Sequence, residues 1–293
     1  MVNYLKYRYY CAAFFGLLVV AGIGGYFYNI KEYGSAFNFS VDFTGGTQML
    51  LKFAQPVGSD QIRSILGDRG YTGIELREFG NNEVLIRVQK FDDDVQGVGS
   101  KIADALQQDL KENSVEIREV NSVGSAVGEN LRWGAIKAII ISLILMLLYV
   151  AIRFQFAFAV GAVFALFHDA FVIAVYFLLS RQEVSIDVIG AILMVLGYSI
   201  NDTIVIFSRI RENLGIMGGS RLYNIINTSI NQTMSRTMLT SLSTALVVVS
   251  LLIFGGEMLR GLSVTLLLGI VFGTYSSIFV ASPVMMYLYR GEK

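Results

Sequence analysis

Long apolar runs with short polar breaks fill the second half of the chain, whereas a polar stretch separates them from one apolar run near residue 20. A membrane-crossing helix needs about 20 mainly apolar residues. Six segments reach that length: 11–28, 134–152, 157–179, 187–208, 237–255 and 261–289. Lys6 and Arg8 ahead of the first run, and the small residues of "AGIGG" after it, imitate a signal peptide. The run exceeds the 7–15 residues of a signal-peptide core, so an uncleaved anchor is expected.

The polar stretch has its own periodicities. "FNFSVDF" and "TQMLLKF" have strand composition on either side of Gly45-Gly46. "SDQIRSIL" has helical spacing with Ser59 as a candidate cap, and "IELREF" and "EVLIRVQK" flank an Asn81-Asn82 turn. "SKIADALQQDLKE" places Ile102, Ala105, Leu106 and Leu110 on one helix face, and "SVEIREV" offers Val115, Ile117 and Val120. The order β-α-β-β-α-β is that of a ferredoxin-like fold. The expected fold is therefore a membrane α-helical bundle of six transmembrane helices, with a small ferredoxin-like α+β domain between helices 1 and 2. Residues 1–29 form the N-terminus and helix 1, 30–131 the inserted domain, and 132–293 a five-helix block.

Composition narrows the chemistry. Charged residues are 16% of the 293, against about 25% in soluble domains, and net charge is zero. No nucleic-acid partner is expected. Cys11 and His168 are the sole residues of their types, so neither a disulfide nor a Cys/His metal site is expected. Lys6, Arg8, Arg153, Arg209, Arg211, Arg221, Arg236, Arg290 and Lys293 fall on one side of the predicted spans, against Arg181 and Arg260 on the other. By the positive-inside rule both termini are cytoplasmic and 30–131 lies outside, which in a bacterium is the periplasm.

Ionisable residues inside spans are costly and usually functional. His168 and Asp169 fall within the third segment, Asn201 and Asp202 within the fourth, and Arg236 at the entry to the fifth. Asp202 is expected roughly 9 Å from the cytoplasmic end of its helix. Arg236 starts the next, antiparallel helix, so the two can meet if those helices are neighbours. Such a pair is either a fixed salt bridge or part of a proton relay. His168 and Asp169 point about 100° apart on a helix and need not touch. Gly269, Gly273 and Ser277 recur every four residues, and Gly190 and Gly197 share a face with Asn201. Both stripes suggest close helix packing. The stretch after Ser220 is amphipathic and is expected at the membrane surface or on a partner.

The strings "VDFTGGTQML", "HDAFVIAVYFLL", "GYSINDTIVIFSRIREN" and "SINQTMSRTMLTSLST" together resemble the SecF family, the smaller membrane subunit of the bacterial SecD–SecF accessory complex. So does "FGGEMLRGLSVTLLLGIVFGTYSSIFVASP". The resemblance implies a non-enzymatic subunit of the inner membrane with the RND-transporter helix plan. It implies pairing with SecD, association with the SecYEG channel and other accessory Sec subunits, and contact with unfolded exported chains and membrane lipid. It implies no cofactor beyond a coupling ion, with H⁺ expected and Na⁺ the alternative. Asp202 and Arg236 then belong to the ion path with Asn201, His168 and Asp169. Asp42, Phe43, Thr44, Gly45 and Gly46 match the family's hinge motif. A scaffold that only links SecD to the channel is the alternative function. Ser208 stands where the family usually carries an acid.

Overall fold

In the computed structural model, residues 1–71, 73–80, 82–88, 97–110, 113–217, 219–257 and 259–289 are described. Asn81, Gln89, Lys90, Lys111, Glu112, Arg290 and Lys293, invoked above, lie outside them. The chain forms two compact units, Met1–Asn38 with Lys137–Lys293, and Phe39–Ile136.

The second unit carries a four-stranded antiparallel sheet built from β1 (Gly46–Phe53), β2 (Glu75–Phe79), β3 (Glu83–Val88) and β4 (Val115–Val123), in the order β2-β3-β1-β4. Met49, Leu51 and Phe53 alternate along β1, so a period of two puts all three on one face. That face packs on Ile62 and Leu66 of one helix (Ser59–Asp68) and Ile102 and Leu106 of another (Val98–Asp109). All four predicted positions of the second helix are buried. Between Leu50 and Leu51 the β4 register shifts by one extra residue, Arg118. This bulge puts Val115, Ile117 and Val120 on one face despite their uneven spacing. Ile117 stays 42% exposed because β4 is the edge of this sheet.

Two local expectations fail. Ser59 is not the cap of its helix, which starts after Gly58; its hydroxyl donates to Glu78 instead. Of the stretch 37–43, read as strand, Asn38–Phe39 is strand, but Val41–Phe43 belong to a single helical turn, Val41–Thr44. The Asp42 amide donates to Ser40 Oγ (3.1 Å), and Ser40 Oγ donates to Asp42 Oδ2 (2.8 Å). The N-cap thus overrides the β-propensity of Val41 and Phe43. The chain leaves this turn through Gly45 (φ +76) and Gly46 (φ +123), conformations that favour glycine. The same turn lies against Gly128, where a Cβ would come within 3.2–3.3 Å of Asp42, Phe43 and Gly45 backbone.

Among the described residues, the first unit contains six helices long and apolar enough to cross a membrane: Tyr4–Tyr33, Ala126–Arg153, Phe156–Ser180, Ile186–Ile216, Leu222–Phe254 and Arg260–Leu288. The second of these begins in the other unit. We number their helical bodies α1 (Arg8–Tyr33), α2 (Ser125–Arg153), α3 (Phe156–Ser180), α4 (Ile186–Ile216), α5 (Leu222–Phe254) and α6 (Arg260–Ser276). After α6 the chain widens to a π-helical stretch, Ser277–Ala281, before a last helical turn pair, Ser282–Leu288. Pro283 has no N–H to give to the preceding turn, a common cause of such widening. Ser282 Oγ instead donates to the Ser277 carbonyl at 3.0 Å.

The helices are longer than their apolar runs at the 216–222 hairpin. The amphipathic stretch after Ser220 is not a separate surface element but the first turns of α5. Its Asn227 and Asn231 hold residues 2–4: Val2 N donates to Asn231 Oδ1 and Tyr4 N to Asn227 Oδ1, both at 2.9 Å. Leu5 follows them into the helical core.

Small residues set the tightest helix contact. A Cβ on Gly269 would lie 2.0 Å from Val195, and one on Gly273 3.0 Å from Ser199. These glycines let α6 approach α4 at backbone distance. Gly190 and Gly197 face open space in this chain, so their stripe does not pack internally. Gly269→Ala should therefore destabilise the protein by about 1–3 kcal/mol, and Gly190→Ala should not, as read by thermal unfolding in detergent.

Candidate functional site: two carboxylates between four helices

Asp169 on α3 is fully buried. Its Oδ1 meets His168 Nδ1 at 3.0 Å, and its Oδ2 accepts from Ser276 Oγ of α6 at 2.8 Å and from Ser199 Oγ of α4. His168 and Asp169 therefore do touch, although they are neighbours in sequence: their side chains bend toward each other across the 100° step. An ionised Asp169 requires the imidazole proton on Nδ1. Every contact of this carboxylate is then a donor. His168 Nε2 finds no partner among the described residues, and its ring lies between Phe15 (4.9 Å between centroids) and Tyr275 (5.7 Å).

Asp202 on α4 is buried too, at 5% exposure, but is held differently. Its Oδ2 accepts from Ser241 Oγ of α5 and Thr274 Oγ1 of α6, each at 3.4 Å, and those two hydroxyls are 2.7 Å apart. Tyr198 OH reaches Ser241 Oγ at 3.5 Å. Three oxygen–oxygen contacts thus join Asp202, Ser241 and Thr274, while the two hydroxyls supply two protons. With Asp202 ionised, one contact is left without a proton. A proton on Asp202 would fill it and reverse the direction of donation. The carboxylate of Asp169 has three donors and no such deficit.

Asp202 and Arg236 lie at matching levels, each fourteen residues from the hairpin (202 to 216 and 222 to 236). That is roughly 21 Å along each helix rather than 9 Å, because both helices continue past their apolar runs. Yet no ion pair joins them among the described residues. The reason is helical phase. Thr237 and Ser241 occupy the inward face of α5, and Arg236 sits 100° and about 140° away from them, exposed. Asn201, one step from Asp202, is likewise exposed and turned away from the carboxylate. Of the hinge-motif residues, all five lie in the other unit, in the capped turn described above.

Sequence reasoning missed Ser199, Ser241, Thr274 and Ser276. A hydroxyl in a membrane helix most often bonds back to its own turn, as Thr240 does to the Arg236 carbonyl at 3.1 Å. Their one signal is position. Ser199 precedes Asp202 by three residues, on the same helix face, and Thr274 and Ser276 are 200° apart on α6. One helix thereby serves a carboxylate on each side.

Fold and site define a multi-pass membrane protein with ionisable groups buried between its helices. Residues 102–291 match the family described as "Protein export membrane protein SecD/SecF, C-terminal", and 35–57 the "SecD/SecF GG Motif". The protein translocase subunit SecF of Thermodesulfovibrio yellowstonii is 36% identical, over 98% of this chain and 94% of its own length. That of Pseudomonas aeruginosa is 40% identical, over 98% and 91%. The chain belongs to the SecF family of protein translocase subunits. SecDF from Thermus thermophilus, a translocon-associated membrane protein, superposes with a TM-score of 0.85 at 35% identity, over 97% of this chain. A SecDF structure in the super-membrane-facing form gives 0.69, over 98%. This chain spans 38% of the length of either SecDF chain.

Replacing both Ser199 and Ser276 by Ala should destabilise the protein by about 1–3 kcal/mol per hydroxyl, since a buried carboxylate loses its donors. Ser241→Ala should cost less, because its contact is longer. Thermal unfolding of the three proteins side by side checks this ranking.

Proposed function

We propose that this chain is an ion-coupled accessory subunit of a protein-export machine in the bacterial inner membrane. On this reading it pairs with a SecD subunit. Together they act beside the SecYEG channel, with other accessory Sec subunits, on unfolded chains in late export. Both termini are cytoplasmic, and 30–131 is a periplasmic domain. Its strand order, with β1 central between β3 and β4, supports a ferredoxin-like fold for that domain. The names of the SecF relatives and the SecDF likeness support the assembly.

The observation that carries the ion-coupled reading is the proton-deficient triangle at Asp202. Ionised, Asp202 accepts from hydroxyls on α5 and α6. Protonated, it donates to one of them, and that hydroxyl must turn its own proton toward the other. Arg236, level with Asp202 but rotated out, gains a counter-charge only when Asp202 is ionised and α5 turns. Proton uptake and release thus favour different rotations of α5 against α4 and α6. H⁺ is the coupling ion on this account. Asp169, with its full set of donors, serves as the fixed point. His168 and Asn201 flank the path. The 42–46 turn, with two glycines at its exit, is the hinge through which helix motion reaches the periplasmic domain.

The Asp202→Asn variant keeps shape and removes the exchangeable proton. Export into inverted membrane vesicles should lose the component that depends on an imposed proton gradient, while membrane insertion and SecD association persist. Gradient-driven export at the wild-type level would instead assign the chain a scaffold role.

A further inference from the structure

Arg153 ends α2, and Phe156 begins α3 only three residues later. The second candidate span stops at Arg153 and the third starts at Phe156. Arg153 therefore sits at the edge of the apolar layer, where lipid phosphates lie. Phe154, between the two spans, is buried against Phe158 and Phe207. Its ring faces two guanidinium groups. The Arg153 Cζ lies 5.6 Å from the ring centroid and the Arg211 Cζ 5.3 Å. Arg211 comes from α4 and donates to the Arg153 carbonyl at 3.3 Å.

Two cations on one ring repel each other unless an anion lies nearby. Neither arginine has a carboxylate within ion-pair distance among the described residues. The nearby Glu212 is engaged by Arg209 at 2.7 Å. Position 208, three residues before Arg211 and on the same helix face, is a serine and brings no charge. Both arginines are exposed, and so are their apolar neighbours Ile152 (86%) and Phe156 (79%). Exposed apolar side chains on either side of a cation pair suit a ligand with a phosphate head and hydrocarbon tails.

We propose that Arg153, Arg211 and the Phe154 turn form a binding site for the phosphate of an anionic phospholipid at the cytoplasmic face. The phosphate oxygens bridge the two guanidinium groups, and the acyl chains run along Ile152 and Phe156. A free phosphate ion offers the same oxyanion chemistry, but nothing to cover the two apolar side chains.

The test is native mass spectrometry of the full chain in mild detergent, with whatever subunit co-purifies, titrated with phosphatidylglycerol or phosphatidylcholine. Wild type should retain phosphatidylglycerol preferentially. Each arginine contributes about fivefold to such binding, so Arg153→Gln with Arg211→Gln should lower retention by more than tenfold. Ser208→Asp leaves both arginines in place and neutralises Arg211 from its own helix. It should lower retention by about fivefold. Arg260→Gln, whose wild-type arginine is already paired with Glu257 at 3.0 Å, should change nothing. Unchanged phosphatidylglycerol retention in the double variant would overturn the site. Displacement of the lipid by millimolar inorganic phosphate would overturn the lipid as its ligand.

Discussion

The close approach of α4 and α6 at Gly269 and Gly273 is the contact on which the membrane unit depends. A single added methyl group would meet Val195 or Ser199 there. With the backbones this close, short hydroxyl side chains on α6 span the gap to carboxylates on α3 and α4. Thr274 reaches Asp202, and Ser276 reaches Asp169. Larger residues at 269 and 273 would part the helices and take one donor from each buried carboxylate, Ser276 from Asp169 and Thr274 from Asp202. The small-residue stripe is thus what makes ionisable groups tolerable at membrane depth.

The two carboxylates differ in the number of donors they face. Asp169 is surrounded by donors from three directions, and any movement there breaks a good hydrogen bond. Asp202 shares too few protons with its two hydroxyl neighbours and has an arginine at its own level that faces elsewhere. A group whose hydrogen bonds can run in either direction at similar cost suits a switch, and a saturated group suits an anchor. On the proposed account, energy from proton movement would appear as rotation of α5, since Ser241 and Arg236 lie on different faces of that helix.

Much of this architecture was legible in the sequence because it rests on periodicity. Six apolar runs gave the spans, and strand composition in 47–53, alternation in 74–79, 83–90 and 114–120, and helical spacing in 59–66 and 100–112 gave the sheet and its two covering helices. Local chemistry could not be read as directly. The Val41–Thr44 turn looked like strand until its Ser40 cap was seen, since a cap acts through geometry that propensity ignores. The partners of Asp202 were misjudged because depth alone was weighed. Arg236 is level with Asp202, but helical phase turns it away. Hydroxyl donors on a third helix were invisible, because tertiary contacts leave no periodic trace. Gly190 and Gly197, seven residues apart on one face, suggested close packing as Gly269 and Gly273 did, yet pack on nothing in this chain.

The central claim is that Asp202 takes up and releases a proton within its hydroxyl triangle. Infrared difference spectroscopy on the membrane-embedded protein, with a pH jump, observes this directly. The account predicts a protonated-carboxyl band that is absent in Asp202→Asn and shifted in frequency by Ser241→Ala or Thr274→Val. A carboxyl band that survives Asp202→Asn unchanged, with none assignable to Asp202, would contradict it.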